Sequence, residues 1–263
     1  MQKIFKILIF TDLDGSLLNR DTFKFDEIKK YLKELISKGV YIIPNTSKTE
    51  KEILEFNNEL GSSLPYISEN GSAINGLDLL NSNLPKELIL SREKDNLIKI
   101  FEKSVPVNLQ SKCKWLSGMD KKKQSLIFGL EDKQLKMALD RKYTIPFIFE
   151  GSKGDRNHLS KIVKKIGLVL QEGGRVINLT DKVNKAKALQ VFVRFFKKNN
   201  KNVKTIAVGD NYNDLDMLKI SDFPCLVFND KFTLDQIPIN NLIITNKPSP
   251  EGWADVIKMA LVK

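Results

Sequence analysis

The sequence predicts an α/β protein: a doubly wound, Rossmann-like parallel sheet carrying an inserted α+β cap. Three observations lead there. Apolar runs that end on polar residues alternate with helical periodicity near the start of the chain, and the same pattern returns near its end. Between these halves the pattern changes to strand-like runs separated by Lys-rich helical segments. A length of 263 residues, 41% of them apolar, suffices for two cores. The expected division is a core of residues 1–82 and 181–263 around an insertion of 83–180.

The elements follow in order. "KILIFTDLDGSLLN", residues 6 to 19, is a buried-strand run that stops on Asp12 and Asp14. Two carboxylates so close raise each other's pKa unless something positive holds them. "FDEIKKYLKELISKG" places Ile28, Tyr31, Leu32, Leu35 and Ile36 at helical spacing, with Asp26 expected as N-cap and Gly39 as the stop. "VYIIPNTSKT" is a second buried strand running into a polar turn. Thr49 and Glu52 then form a capping box for a helix ending near Gly61. "LPYISENG" is expected as a third strand of the same parallel sheet. In the insertion, "SLIFGL", "IPFIFEG", "LVLQEG" and "RVINLT" read as strands. Beyond it, "NKAKALQVFVRFFKK" is an amphipathic helix, "VKTIAVGDNYND" a strand that again stops on a carboxylate, and "PCLVFN" and "NLIITN" short strands. Open parallel sheets bind ligands at the carboxyl ends of their strands, so the polar turns are where chemistry is expected.

Composition excludes several classes. The net charge of +11 comes from Lys scattered over helix faces and loops, without aromatic interleaving or a nucleic-acid motif. It reads as solvated surface whose field steers an anionic substrate, and no nucleic-acid partner is expected. Cys113 and Cys225 have no partners at metal-ligand spacing and are expected as reduced thiols. His158, the single histidine, leaves no histidine-based phosphatase chemistry. No apolar run approaches the roughly 18 residues of a membrane span. A cytoplasmic monomer or homodimer is expected. "GSKGD", residues 151 to 155, reads as a plain loop, with a backbone phosphate cradle as the alternative, and Trp115 and Trp253 read as packing residues.

Asp12, Asp14 and Asp210 suggest a Mg²⁺ site, since magnesium takes hard oxygen ligands from one or two carboxylates, water and substrate phosphate. A carboxylate can also attack phosphorus, provided a cation screens it and donors receive the equatorial oxygens. Thr46 offers a hydroxyl and an amide, Lys185 an ammonium, and Asp14 is suited to act as acid and then base.

"DLDGS", "PNTSKT", "NKAKAL" and "GDNYND" resemble, in that order, the four motifs of haloacid-dehalogenase-like phosphatases. "NTSKT", "PYISENGSAI", "YTIPFIFEG", "GGRVINL" and "SPEGW" are similar to the mannosyl-3-phosphoglycerate phosphatase family and its glucosyl-specific relatives. The resemblance implies Asp12 as nucleophile, Asp14 as acid and base that also meets magnesium through its carbonyl, and Asp210 and Asp214 at the metal. Asp214 would alternatively orient Lys185. Thr46 and Lys185 take the phosphate. Ser47, Lys48, Glu69, Asn70, Gly71 and Asn213 face the substrate, and Arg175 is a candidate for the glycerate carboxylate. The implied reaction is hydrolysis of a phosphorylated sugar derivative beneath a mobile cap. Sucrose phosphate, a hexose phosphate, or a receiver-like phosphate-accepting module are the alternatives. The sequence departs from the pattern at Ser16, Asn184, Ala186 and Ile145. The last two bear on pocket width and sugar preference.

Overall fold

A computed structural model describes residues 5–172, 175–230 and 239–263. Its centre is a parallel sheet of five strands: β1 (Lys6–Thr11), β2 (Tyr41–Pro44), β10 (Val203–Gly209), β11 (Phe223–Leu226) and β12 (Ile243–Ile244), in the order β12-β11-β10-β1-β2. Thr11 is in register with Val208 on one side and Pro44 on the other. The chain therefore winds outward from β1 in both directions, which makes the carboxyl end of β1 the switch point of the sheet.

Side-chain alternation divides the strands between two cores. Ile9, Ile42, Ile206 and Val208 join the cluster under α1 (Asp26–Ser37), α2 (Glu50–Leu60) and α10 (Glu251–Leu261). Leu8, Phe10, Ile43 and Ala207 face α8 (Lys185–Lys197) and α9 (Leu215–Lys219). Trp253 is fully buried. Cys113 and Cys225 are free, buried thiols. The capping box of Thr49 and Glu52 is present on α2, and Gly61 closes it in the left-handed conformation. Asp26 is not the N-cap of α1. Phe25 precedes the helix without a side-chain cap bond, and Asp26 lies in the first turn, where its charge complements the helix dipole.

"LPYISENG" does not extend the parallel sheet. β3 (Tyr66–Ser68) pairs antiparallel with β4 (Ala73–Asn75), and β4 with β5 (Glu87–Ile89). A single parallel bridge, Asn45 to Ile67, ties this small sheet to β2. The reason is local: Glu69, Asn70 and Gly71 all have positive φ and turn the chain straight back.

A four-stranded antiparallel sheet follows, ordered β6-β7-β9-β8, from β6 (Cys113–Trp115), β7 (Ile145–Phe149), β8 (Leu168–Glu172) and β9 (Ile177–Asp181). α3 (Lys94–Ser104) and α7 (Lys153–Lys165) contribute Leu97, Phe101, Leu159 and Val163 to one cluster on it. A second cluster holds Phe128, Leu130, Leu135 and Ala138 from the region of α5 (Lys121–Phe128) and α6 (Asp132–Leu139). The remaining helix, α4 (Val107–Gln110), is a single turn. "SLIFGL" is helical rather than a strand, because Asp120 caps the Lys123 N–H and Gly129 stops the helix in the left-handed conformation. The short β6 was not anticipated. "GSKGD" is the start of α7, where Ser152 and Asp155 form a capping box. His158 is exposed on that helix. Gly173 and Gly174, the start of "GGRVINL", lie outside the described residues.

The chain enters this antiparallel region after β5 and leaves it after β9. Arg92 and Asp181 join the two crossings: Nη2 lies 2.7 Å from Oδ1, and the Arg92 backbone N–H donates to Oδ2 at 3.0 Å. Among the described residues no helix is long and apolar enough to cross a membrane.

Candidate active site

The carboxyl ends of β1, β2 and β10 open into a cleft of about 260 Å³, whose other wall comes from the antiparallel region. Asp12 begins the turn after β1, its backbone N–H held by Val208 O at 2.9 Å. The turn is tight. Gly15 has φ of +81°, and a Cβ there would lie 2.7 Å from Asp210 Oδ2, so only glycine lets the turn approach that carboxylate. Ser16, at the departing position, keeps its hydroxyl, which donates to Asp210 Oδ1 at 3.2 Å.

Asp12, Asp210 and Asp214 converge, with one oxygen of each within 4.8 Å of the others. Burial raises the carboxyl pKa values of Asp210 and Asp214, and repulsion among the three acids adds to it. Lys185 Nζ sits at their base, donating to Asp12 Oδ1 at 2.7 Å and Asp214 Oδ1 at 2.6 Å. Burial alone would neutralise this lysine, but the two carboxylates outweigh it and raise its pKa. The other Asp214 oxygen accepts from the backbone N–H groups of Asp210 and Asn211, each at 3.1 Å. Arg20 pairs with Asp210, and Asn229 Nδ2 donates to the same carboxylate at 3.1 Å. A cluster of carboxylate oxygens without His or Cys fits a hard divalent cation such as magnesium. The Asp14 carboxylate, which the residues alone grouped with Asp12 and Asp210, is not in this cluster; the resemblance instead expects Asp14 at the metal through its backbone carbonyl.

Asp14 instead faces Lys48. Nζ lies 2.9 Å from Asp14 Oδ1, an ion pair that leaves this oxygen without an aligned hydrogen bond. Burial raises the Asp14 pKa, the charges of Asp12 and Glu52 add to it, and Lys48 opposes them. Lys48 also bonds Glu52 at 3.2 Å and stands 4.9 Å from the centre of the Phe23 ring.

Thr46, in the turn after β2, is wholly buried and, unlike its neighbours Ser47 and Lys48, does not line the cleft. Its Oγ1 accepts from the Lys48 N–H at 3.3 Å. Its amide is not available, contrary to expectation, because it donates to Ile67 O at 3.1 Å. Ser47, Lys48, Arg175 and Asn213 line the cleft. Glu69, Asn70 and Gly71 do not. Glu69 is buried and accepts from the backbone N–H groups of Lys142, Tyr143 and Thr144 at 2.8, 3.1 and 2.8 Å. The Asn70 N–H is bonded to Thr46 O at 2.8 Å. At Gly71 a Cβ would lie 2.3 Å from Asn184 O, so that glycine serves the approach of two backbones. Asn184 caps α8 through the Lys187 N–H at 2.8 Å. Ala186 and Ile145 pack into apolar clusters rather than the cleft.

The motifs did not mark Arg20, Asn229, Phe23, Asn178 or Arg141. Arg20 and Asn229 gain meaning only through Asp210, 190 and 19 positions away. The polarity of the stretch around Arg141 is that of any loop. Nothing local signals that the guanidinium is buried.

The family model for haloacid dehalogenase-like hydrolases matches residues 9–247. This chain belongs to that family. A glucosyl-3-phosphoglycerate/mannosyl-3-phosphoglycerate phosphatase of Persephonella marina is 30% identical over 261 residues, covering 95% of this chain and 96% of the relative. A protein of the same description from Methanococcoides burtonii is 30% identical over 96% of both chains. A mannosyl-3-phosphoglycerate phosphatase of Pyrococcus horikoshii is 29% identical over 82% of this chain and 88% of its own. The fold is shared with a haloacid dehalogenase-like hydrolase from Bacteroides thetaiotaomicron, with a TM-score of 0.68, 16% identity and coverage of 98% and 100%. It is also shared with the sucrose-phosphatase of Synechocystis, with a TM-score of 0.64, 14% identity and coverage of 97% and 98%. Within its family the chain is a phosphomonoesterase.

Proposed function

We propose that the chain is a magnesium-dependent phosphatase that converts mannosyl- or glucosyl-3-phosphoglycerate to the glycosylglycerate and phosphate through an aspartyl-phosphate on Asp12. The observation that carries the reaction is the bond between Lys185 and Asp12 Oδ1 at 2.7 Å, which holds the carboxylate by one oxygen and leaves Oδ2 to attack. The raised pKa of Lys185 keeps it charged, so it screens Asp12 from the incoming phosphate. As the Asp12 Oδ2–P bond forms and the P–O bond to the glycerate breaks, Asp14 gives its proton to the departing oxygen. Asp14 then takes a proton from the water that attacks phosphorus, and phosphate and the Asp12 carboxylate are restored. Its raised pKa suits the first of these steps. Asp12, Asp210 and Asp214 would hold magnesium, which supplies positive charge to the phosphoryl oxygens when bound.

The rest of the cleft combines apolar surface from Phe23, Phe128 and Leu130 with Lys48, Arg141, Arg175 and Asn178, a mixture suited to a hexose joined to an acid. Phosphate release from the two glycosyl-3-phosphoglycerates, measured beside sucrose phosphate and a panel of hexose phosphates, tests the reading. Either glycosyl compound should give the highest kcat/KM. Turnover confined to the hexose phosphates would discard the glycerate claim while leaving the aspartyl chemistry in place.

A further inference from the structure

We infer that Arg141 is the receptor for a second anionic group on the substrate, a carboxylate, and that it sets a preference for carboxylated phosphate esters. The inference rests on the phosphate end of the site proposed above, not on the identity of the sugar. Arg141 is only 7% exposed and lines the cleft. A buried charge is costly unless it is paired. Yet its three hydrogen-bond acceptors are all neutral: Nε donates to Ala138 O at 3.1 Å, and Nη1 to Thr144 Oγ1 at 2.9 Å and Ser47 O at 3.2 Å. Both Nη2 protons remain.

The nearby acid, Glu52, feels the guanidinium charge but is already bonded to Lys48 and to the Thr49 N–H. Among the described residues no carboxylate forms an ion pair with Arg141. Its position is fixed from two sides. Glu69 holds the backbone of residues 142–144, and Ser47 O ties the guanidinium to the residue next to Thr46. A charge so placed, tied one residue from Lys48, which pairs with the proposed acid Asp14, suits an ester whose phosphate and carboxylate are a few bonds apart. Arg175 is a poorer anchor: it is exposed at the rim, with its guanidinium 5.7 Å from the centre of the Phe23 ring.

The test compares binding of 3-phosphoglycerate and glycerol 3-phosphate, which differ at one carbon by carboxylate against CH₂OH. Calorimetry on the full chain with magnesium gives both Kd values. A charged hydrogen bond of ordinary strength predicts roughly ten-fold or greater preference for 3-phosphoglycerate in the unaltered protein. R141Q should bring the ratio close to one, and, if R141Q does not fold, R141K, which keeps the charge but loses the planar fork, should lower the ratio below that of the unaltered protein. A merely structural arginine would weaken both ligands alike and leave the ratio unchanged, which overturns the inference, as does a ratio near one in the unaltered protein. Lack of turnover on the glycosyl compounds alone defeats the sugar assignment and leaves this ratio readable.

Discussion

Lys185 shows how one side chain carries both structure and chemistry. It neutralises Asp12 and Asp214 at once, so removing one partner leaves the other in place. Asp12→Asn should therefore keep the melting temperature within a few degrees while phosphate release falls by about 10³-fold or more, the scale of losing a nucleophile. Metal binding gives a second expectation. Burial and mutual repulsion disfavour the ionised forms of Asp210 and Asp214, and a divalent cation relieves that cost. Magnesium at a hundred times its Kd should add about 2.7 kcal/mol of stability, seen as a higher melting temperature that EDTA reverses. Asp210→Asn should blunt the rise. Asp12, Asp14 and Lys185 were legible in the sequence because each sits in a short motif beside a strand or helix end. Arg141 was not, since its meaning comes from Ser47 and Thr144 meeting around it in space. Glu69 was misplaced for the converse reason: a polar turn after a strand looks like a ligand loop whether its carboxylate faces a cleft or the backbone N–H groups of another segment.

Among the elements, α2 gives the cleanest link between local sequence and local structure. Thr49 accepts from the Glu52 N–H at 3.3 Å, while Glu52 Oε2 accepts from the Thr49 N–H at 2.9 Å. The Thr49 hydroxyl also donates to Met137 O at 2.9 Å, tying α2 to α6. Thr49→Ala should lower stability by about 1–2 kcal/mol in urea unfolding, the upper part of the range for losing a cap. Serine should recover most of it. Capping signals were also what separated helix from strand in "SLIFGL". Six residues with four apolar side chains satisfy either period, and the decision fell to Asp120 before them and Gly129 within them. β6 escaped notice because three residues, Cys113 to Trp115, are too few to display alternation.

At the scale of the whole molecule, the doubly wound sheet was readable because its strands are nearly continuous apolar runs buried on both faces. The three-stranded sheet was not, because positive φ at Glu69 and Asn70 is a backbone property that composition hints at only weakly. The Arg92–Asp181 contact yields a pH expectation. The hydrogen bond from Arg92 holds the Asp181 carboxyl down to about 2, against an ordinary value of 3.8. A depressed folded pKa gives stability that is present above the ordinary value and is lost as pH falls through about 2. Arg92→Gln should thus be less stable than the parent at neutral pH, with the gap narrowing on acidification across that window in thermal melts. The same contact has a geometric corollary. The polypeptide departs and returns side by side at this junction, yet the stretch between is fastened again to the segments below the cleft, through Arg141 to Ser47 O, Met137 O to Thr49 and residues 142–144 to Glu69. A graft that exchanged that stretch would have to rebuild each of these fastenings.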